Sequence, residues 1–206
     1  WANAKDDQRK IWLRSGIVPL DYPEPVAEDY SDLLKTLEDK AKGTRASHST
    51  APWWQFERLR GDLYATIRPL PMVLAISRVT EHLGFAYLPA RMVFAEGVVV
   101  FADSSHSTFT MLQCRIHELW ARFFASSLED RLRYGPSDCF ETFPFPLGFE
   151  SNAVLGDTGQ TYYDFRAQLM QRENKGLTAI YNWFHDPECE CPDIPRLREL
   201  HDAMDR

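Results

Sequence analysis

The chain has 206 residues, with 23 Lys and Arg against 30 Asp and Glu for a net charge of -7, and 44% of its residues are hydrophobic and 13% aromatic. That acidic balance excludes a simple basic nucleic-acid arm, and the apolar and aromatic content excludes disorder over the whole chain. The length suits one large domain, or one domain with a smaller annex.

The first residue is Trp1, followed by Ala2, Asn3 and Ala4, with neither an initiator Met nor the order of a signal peptide. It reads as a piece cut from a longer chain. From Asp21 a Pro-punctuated entry (Pro23, Pro25) leads into Tyr30–Leu37, whose apolar residues recur at helical spacing, with Gly43 as a stop, which predicts a short surface helix. A polar loop over 44–50 then reaches the aromatic block Trp53, Trp54 and Phe56.

Between Met72 and Ala102 the pattern changes to short runs rich in Val, Ile and Phe: Met72–Val79, Leu83–Leu88, Met92–Ala95 and Val98–Ala102. They lie too close together for crossover helices, which predicts an antiparallel sheet. After Asp103, with Ser104, Ser105 or Ser107 as N-cap, the spacing of Phe109, Leu112, Ile116, Trp120 and Phe123 predicts one long helix covering that sheet. Pro136, Pro144 and Pro146 forbid regular structure over 133–146. Residues 151–159 read as a linker. Beyond it, Tyr162, Phe165 and Leu169, then Leu177, Ile180, Tyr181 and Phe184, then Leu197, Leu200 and Met204 mark three helices. The fold class is α+β: a small antiparallel sheet covered by a long helix, followed by a helical C-terminal unit.

No apolar run approaches the roughly 18–20 residues needed to cross a bilayer, so no membrane partner is expected. Cys114, Cys139, Cys189 and Cys191 have no disulfide-framework spacing, and a reducing cytoplasm fits them.

Charge is distributed unevenly. No lysine occurs between Lys42 and Lys175, and over residues 58–133 nine arginines face seven acids, whereas over 150–206 six basic residues face eleven acids. The sheet-bearing part is the more positive, and its charge is all guanidinium, a group that can read guanine O6 and N7 bidentately as well as grip phosphate. The competing reading pairs Arg122 and Arg131 with Glu118, Glu129 or Asp130 on a solvated face.

Neither a G-x-G-x-x-G nor a Walker-type glycine motif is present, nor a G-x-S-x-G elbow or an H-E-x-x-H pair. His185, Cys189 and Cys191 lack a partner ligand pair for zinc, and no metal site is expected. Asp138 and Glu141 could hold Mg²⁺ for a nuclease, but no lysine accompanies them. His82, His106 and His117 are isolated and read as turn or packing residues.

The run Leu112-Gln113-Cys114-Arg115-Ile116-His117-Glu118-Leu119-Trp120, followed by Arg133-Tyr134-Gly135-Pro136-Ser137-Asp138-Cys139-Phe140-Glu141-Thr142-Phe143-Pro144-Phe145-Pro146, resembles the C-terminal half of large adenine-specific DNA methyltransferases. The relatives are the MmeI-like restriction-modification enzymes and the methylases of BREX and DISARM systems. Trp53-Trp54-Gln55-Phe56 upstream, and Gly176–Asn182, His185–Pro187 and Leu197–Asp205 in the tail, agree.

The resemblance implies a target recognition domain over 1–148 and a C-terminal helical segment over 149–206. The implied function is sequence-specific recognition of double-stranded DNA for an N6-adenine methyltransferase of a restriction-modification or phage-defence system. Its partners would be DNA and the methyltransferase catalytic domain of the same parent chain. Neither N-P-P-[YF] nor F-x-G-x-G occurs, so no catalytic residue and no cofactor is expected in this segment, S-adenosylmethionine being bound by the parent protein.

The DNA-contacting candidates are Arg68, Arg78 and Arg91 near strand ends, Ser77, Thr80, Glu81 and His82 in one turn region, and Arg115 at the start of the long helix. Trp53, Trp54, Trp120, Phe140, Phe143 and Phe145 read as packing residues rather than base stackers. The alternative function is a docking region for a partner subunit. The two separate on whether Arg68, Arg78 and Arg91 converge on one face or scatter into ion pairs.

Overall fold

The computed structural model describes residues 2–44, 60–128 and 131–206, so the aromatic block at Trp53–Phe56 and the acids Glu129 and Asp130 lie outside the described residues. The chain divides into two compact units, Trp1–Asp62 and Leu63–Arg206.

In the first unit, α1 (Asp6–Ser15) opens with two acids in its first turn, where they meet the positive end of the helix dipole. Helix α2 (Ser31–Ala41) is the surface helix expected from Tyr30–Leu37, and its Leu33 and Leu37 stay exposed.

The second unit begins around α3 (Gly61–Ile67), then β1 (Met72–Ser77), β2 (Val79–Thr80), β3 (Ala86–Pro89) and β4 (Val98–Phe101). One antiparallel sheet has the order β3-β1-β4, with Met72 opposite Pro89 at one end of β1 and Ser77 opposite Val98 at the other. Strand β1 is buried along Val73–Ile76, as expected of a central strand with apolar residues on both faces.

Met92–Ala95, expected as a strand, is a loop. Met92 and Val93 face solvent, and Phe94 packs into the small cluster of Ile67, Val73 and Ala90 while its N–H donates to the Tyr64 hydroxyl at 3.1 Å. The run is apolar because one side chain plugs that cluster.

The covering helix is interrupted. Helix α4 (His106–Gln113) is capped by Ser105, whose hydroxyl accepts the Thr108 N–H, and α5 (Arg115–Phe124) begins after Cys114, which is extended at φ -65°, ψ 159°. The break is held from a distance, because Asp205 Oδ1 accepts the Arg115 N–H at 2.7 Å. A carboxylate at a helix N-terminus satisfies an orphan donor and the dipole together. After the break the buried face shifts to His117 and Ala121, and Ile116 (58%) and Phe123 (81%) are left exposed.

Strands β5 (Ser126–Leu128) and β6 (Arg131–Arg133) form a second antiparallel sheet of order β2-β6-β5. A π-turn over Pro136–Phe140 follows, and Phe140, Phe143 and Phe145 pack against one another and the core, with ring centroids 4.9–5.2 Å apart. The packing reading of these rings holds.

Residues 153–159 are helical rather than linker. Helix α6 (Ala153–Glu173) starts at Asn152, whose side chain caps the Val154 and Leu155 N–H groups. Gly159 faces α4 so closely that a Cβ there would lie 2.1 Å from Thr110 Oγ1 and 2.6 Å from the His106 carbonyl. Thr110 uses this approach to donate to the Leu155 carbonyl at 2.7 Å. Helices α7 (Leu177–His185) and α8 (Ile194–Met204) complete one core running from Leu74 to Met204. Among the described residues no helix is long and apolar enough to cross a membrane.

Candidate nucleic-acid interface

The sequence candidates fall at the two ends of β1. Arg68 follows α3 and Arg91 follows β3, and both are exposed beside the Met72 end, where the Ala90 N–H donates to the Pro71 carbonyl at 3.2 Å. Ser77, Arg78, Thr80, Glu81 and His82 cluster at the opposite end. At about 3.4 Å per residue the six residues of β1 separate the two groups by roughly 17 Å. Arg68, Arg78 and Arg91 therefore do not meet on one patch, and none forms a salt bridge among the described residues.

Arg78 is the residue at which the strand changes sheets. Its N–H donates to the Gly97 carbonyl at 2.8 Å, on the β4 side, and its carbonyl accepts the Tyr134 N–H at 2.8 Å, just past β6. Its Nε donates to the Glu96 carbonyl at 3.1 Å, which fixes the guanidinium over that turn.

Beyond Arg78 the sheet β2-β6-β5 presents a face the sequence reading did not single out. In β6, Arg131 and Arg133 are exposed and Leu132 between them is buried, the period-two alternation of a half-buried strand. Val79 pairs with Arg133 and shares its exposed face, whereas Thr80 pairs with Leu132 on the other. The Arg-Leu-Arg alternation was the available signal, but three residues are too short a run to mark a strand.

The turn from Thr80 to Phe85 is pinned from four helices. Arg122 Nη2 of α5 donates to the Glu81 carbonyl at 3.0 Å, and the Thr80 hydroxyl donates to the His82 carbonyl at 2.7 Å. His82 Nε2 lies 2.7 Å from Asn182 Oδ1, and its ring stacks on His185 of α7 at 4.8 Å and 16°. Burial holds the His185 imidazole below its ordinary pKa, and His82 beside it adds to the effect. Gln113 of α4 brackets the turn, accepting the Phe85 N–H and donating to the Leu83 carbonyl, both at 2.9 Å.

Arg166 of α6, only 2% exposed, completes this support. Its Nη2 donates to the Phe85 carbonyl at 2.6 Å and its Nη1 to the Tyr181 hydroxyl at 2.8 Å. Among the described residues no carboxylate pairs with it; the rings of Phe109, Tyr162, Tyr163 and Tyr181 surround the guanidinium at 5.2–5.8 Å. The π faces partly offset the cost of desolvating the charge.

Arg115 and Arg122 also form ion pairs. Arg115 Nη2 pairs with Asp202 Oδ1 at 2.9 Å, and Arg122 pairs with Glu118 at 2.8 Å, as one sequence reading expected. The thiols of Cys114 and Cys139 are pushed up by burial and stay protonated, which leaves no activated nucleophile there. Cys191 groups with Glu173 and Asp193. Asp138 and Glu141 join no cluster of three ligands among the described residues.

These features define an α+β module that presents arginines, and no lysine, on short strands and a turn braced by helices. Residues 33–147, more than half of the chain, match the family model "MmeI, target recognition domain", and the chain belongs to that family. Its fold is also similar to the solved structure of the Type IIL restriction-modification enzyme MmeI in complex with DNA, with a TM-score of 0.58 and 20% identity over 100% of this chain and 25% of the other. The chain spans a quarter of that enzyme's length. No curated protein matches the sequence.

Proposed function

We propose that the chain is the sequence-reading module of an N6-adenine DNA methyltransferase of a restriction-modification system, and that it binds double-stranded DNA through the β2-β6-β5 sheet and the Thr80–His82 turn. The observation that carries this reading is the exposed Arg131/Arg133 face on β6, continuous with Arg78 and the braced turn. The B-DNA major groove, about 12 Å wide, admits a pair of antiparallel strands such as β5 and β6 at one side of this sheet, and arginine is the side chain that reads guanine there bidentately. The family match and the DNA-bound state of the solved MmeI structure support it.

A methylase extrudes its target base, so sequence has to be read by a surface apart from the one that does chemistry. Residues 1–148 supply that surface in our reading, and 149–206 brace it. Transfer of the methyl group, and the S-adenosylmethionine it needs, belong to the remainder of the parent polypeptide, in the cytoplasm where cellular DNA is met. Arg68 and Arg91, some 17 Å from the turn on the β1 spacing above, suit phosphate contacts that fix register rather than base readout. A net charge of -7 means that this module alone binds weakly and loses affinity steeply with salt.

One feature favours the docking alternative: Ile116, Leu119 and Phe123 form an exposed apolar stripe along α5. Fluorescence anisotropy with duplex DNA decides between the two. Arg131→Ala with Arg133→Ala weakens binding by about 1–3 kcal/mol per base-reading arginine if DNA is read here. Unchanged binding, with loss of a protein partner on Leu119→Ser, supports docking instead.

A further inference from the structure

Where α8 meets the α4–α5 break, one side-chain atom has no partner. His201 is 4% exposed, and its Nε2 lies 3.1 Å from the Gln113 carbonyl. A carbonyl only accepts, so Nε2 carries the hydrogen and Nδ1 of the neutral ring is a bare lone pair. That Nδ1 is buried and, among the described residues, without a hydrogen-bond partner, and it lies 3.9 Å from Asp205 Oδ2. Two acceptors facing each other across a gap call for a cation between them.

The surroundings supply the rest of a ligand set. Donor atoms of His201, Asp202 and Asp205 all lie within 4.8 Å of one another. Arg115 occupies the other oxygen of each carboxylate: its N–H bonds Asp205 Oδ1 at 2.7 Å and its Nη2 bonds Asp202 Oδ1 at 2.9 Å. Arg115 Nε stands 3.8 Å from Asp205 Oδ2, beyond hydrogen-bond reach. Arg115 therefore orients the carboxylates while their Oδ2 atoms remain for another ligand. The Gln113 carbonyl does the same for the imidazole, the outer support that metal-bound histidines characteristically have.

We propose that His201, Asp202 and Asp205 bind one divalent transition-metal ion of the zinc, cobalt or nickel class. An imidazole with two carboxylates suits these borderline ions, and the imidazole disfavours Mg²⁺ and Ca²⁺. Water completes the coordination on the side of Asp202, which is about half exposed. The bound ion holds His201, Asp202 and Asp205 together at the end of α8, where Gln113 and Arg115 already join these residues to the α4–α5 junction. The site is independent of whether the module reads DNA.

The test is titration of Co²⁺ alone into the 206-residue chain carrying Cys189→Ser and Cys191→Ser, so that thiols do not compete. One Co²⁺ binds per chain, with visible d–d bands and no thiolate charge-transfer band. Asp202→Asn, a change at a half-exposed side chain, weakens binding by about tenfold or more, and His201→Ala abolishes it. Imidazole ¹⁵N shifts in the metal-free protein show His201 with one N–H. Absence of Co²⁺ binding, binding indifferent to Asp202→Asn, or a His201 ring carrying two protons at neutral pH would each overturn the proposal.

Discussion

Replacing Arg166 with Met tests whether the Thr80–Phe85 turn is held from beneath. The substitution keeps much of the volume but removes the donors to the Phe85 carbonyl (2.6 Å) and the Tyr181 hydroxyl (2.8 Å). The Phe85 carbonyl loses this buried donor, at a cost of about 1–3 kcal/mol. The Tyr181 hydroxyl keeps its contact with Tyr162 at 3.0 Å, so its loss is smaller, about 1 kcal/mol. Four rings lose a desolvated cation, worth about 2 kcal/mol, while relief of the buried charge returns a few kcal/mol. The net expectation is destabilisation of about 2–3 kcal/mol in urea unfolding. Amide hydrogens of Gly84 and Phe85 exchange faster before the rest of the core opens. Arg166→Lys, which keeps the charge but not the two-armed fork, recovers only part of the loss. A Met variant within about 0.5 kcal/mol of the parent, with unchanged exchange at Phe85, would refute the brace.

Other consequences are equally direct. Gly159→Ala gains about 1 kcal/mol of helix propensity but drives a methyl into Thr110 Oγ1 and the His106 carbonyl, so the protein loses about 1–2 kcal/mol net, read as a lowered Tm. His117 is fully buried, and burial lowers its pKa to about 4. The unfolded imidazole takes up a proton below about 6.5 while the folded one does not until about 4, so stability present above pH 6.5 falls by about 3 kcal/mol on acidification to pH 4. His117→Gln removes that slope, and an identical urea-midpoint profile in the variant would contradict the assignment. Arg133→Ala weakens affinity for a selected duplex by about 1–3 kcal/mol and relaxes preference at one position, whereas Arg91→Ala weakens all duplexes alike and reduces the salt slope by about 1.

Much of this architecture is legible in the sequence, and the failures share a cause. The Val-, Ile- and Phe-rich runs Met72–Val79 and Val98–Ala102 and their close spacing predicted the antiparallel sheet, and Ser105 was one of three serines open as the cap because caps are local. The break at Cys114 was invisible because the apolar spacing continues through it, and what stops the helix is the carboxylate of Asp205, 90 residues away. Residues 151–159 read as a linker from their glycines, although Asn152 as an N-cap was there to be seen; Gly159 is in the helix because α4 approaches it. Within the proposed interface, Ser77, Arg78, Thr80, Glu81 and His82 could be grouped in the sequence by adjacency in the chain. Arg131 and Arg133 reach the same surface only through pairing between β2 and β6, which residue patterns do not reveal. Arg115 looked available because Asp202 and Asp205 are distant in sequence.

The most direct test of sequence reading is selection of a pool of randomised duplex DNA on the 206-residue chain at low and moderate salt, followed by sequencing of what is retained. The account predicts enrichment of a short asymmetric motif at low salt, with less DNA retained at moderate salt, and loss of the enrichment when Arg78, Arg131 and Arg133 are replaced by Ala. Retention of an unselected pool at low salt would contradict it, and would favour the docking reading of the exposed face of α5.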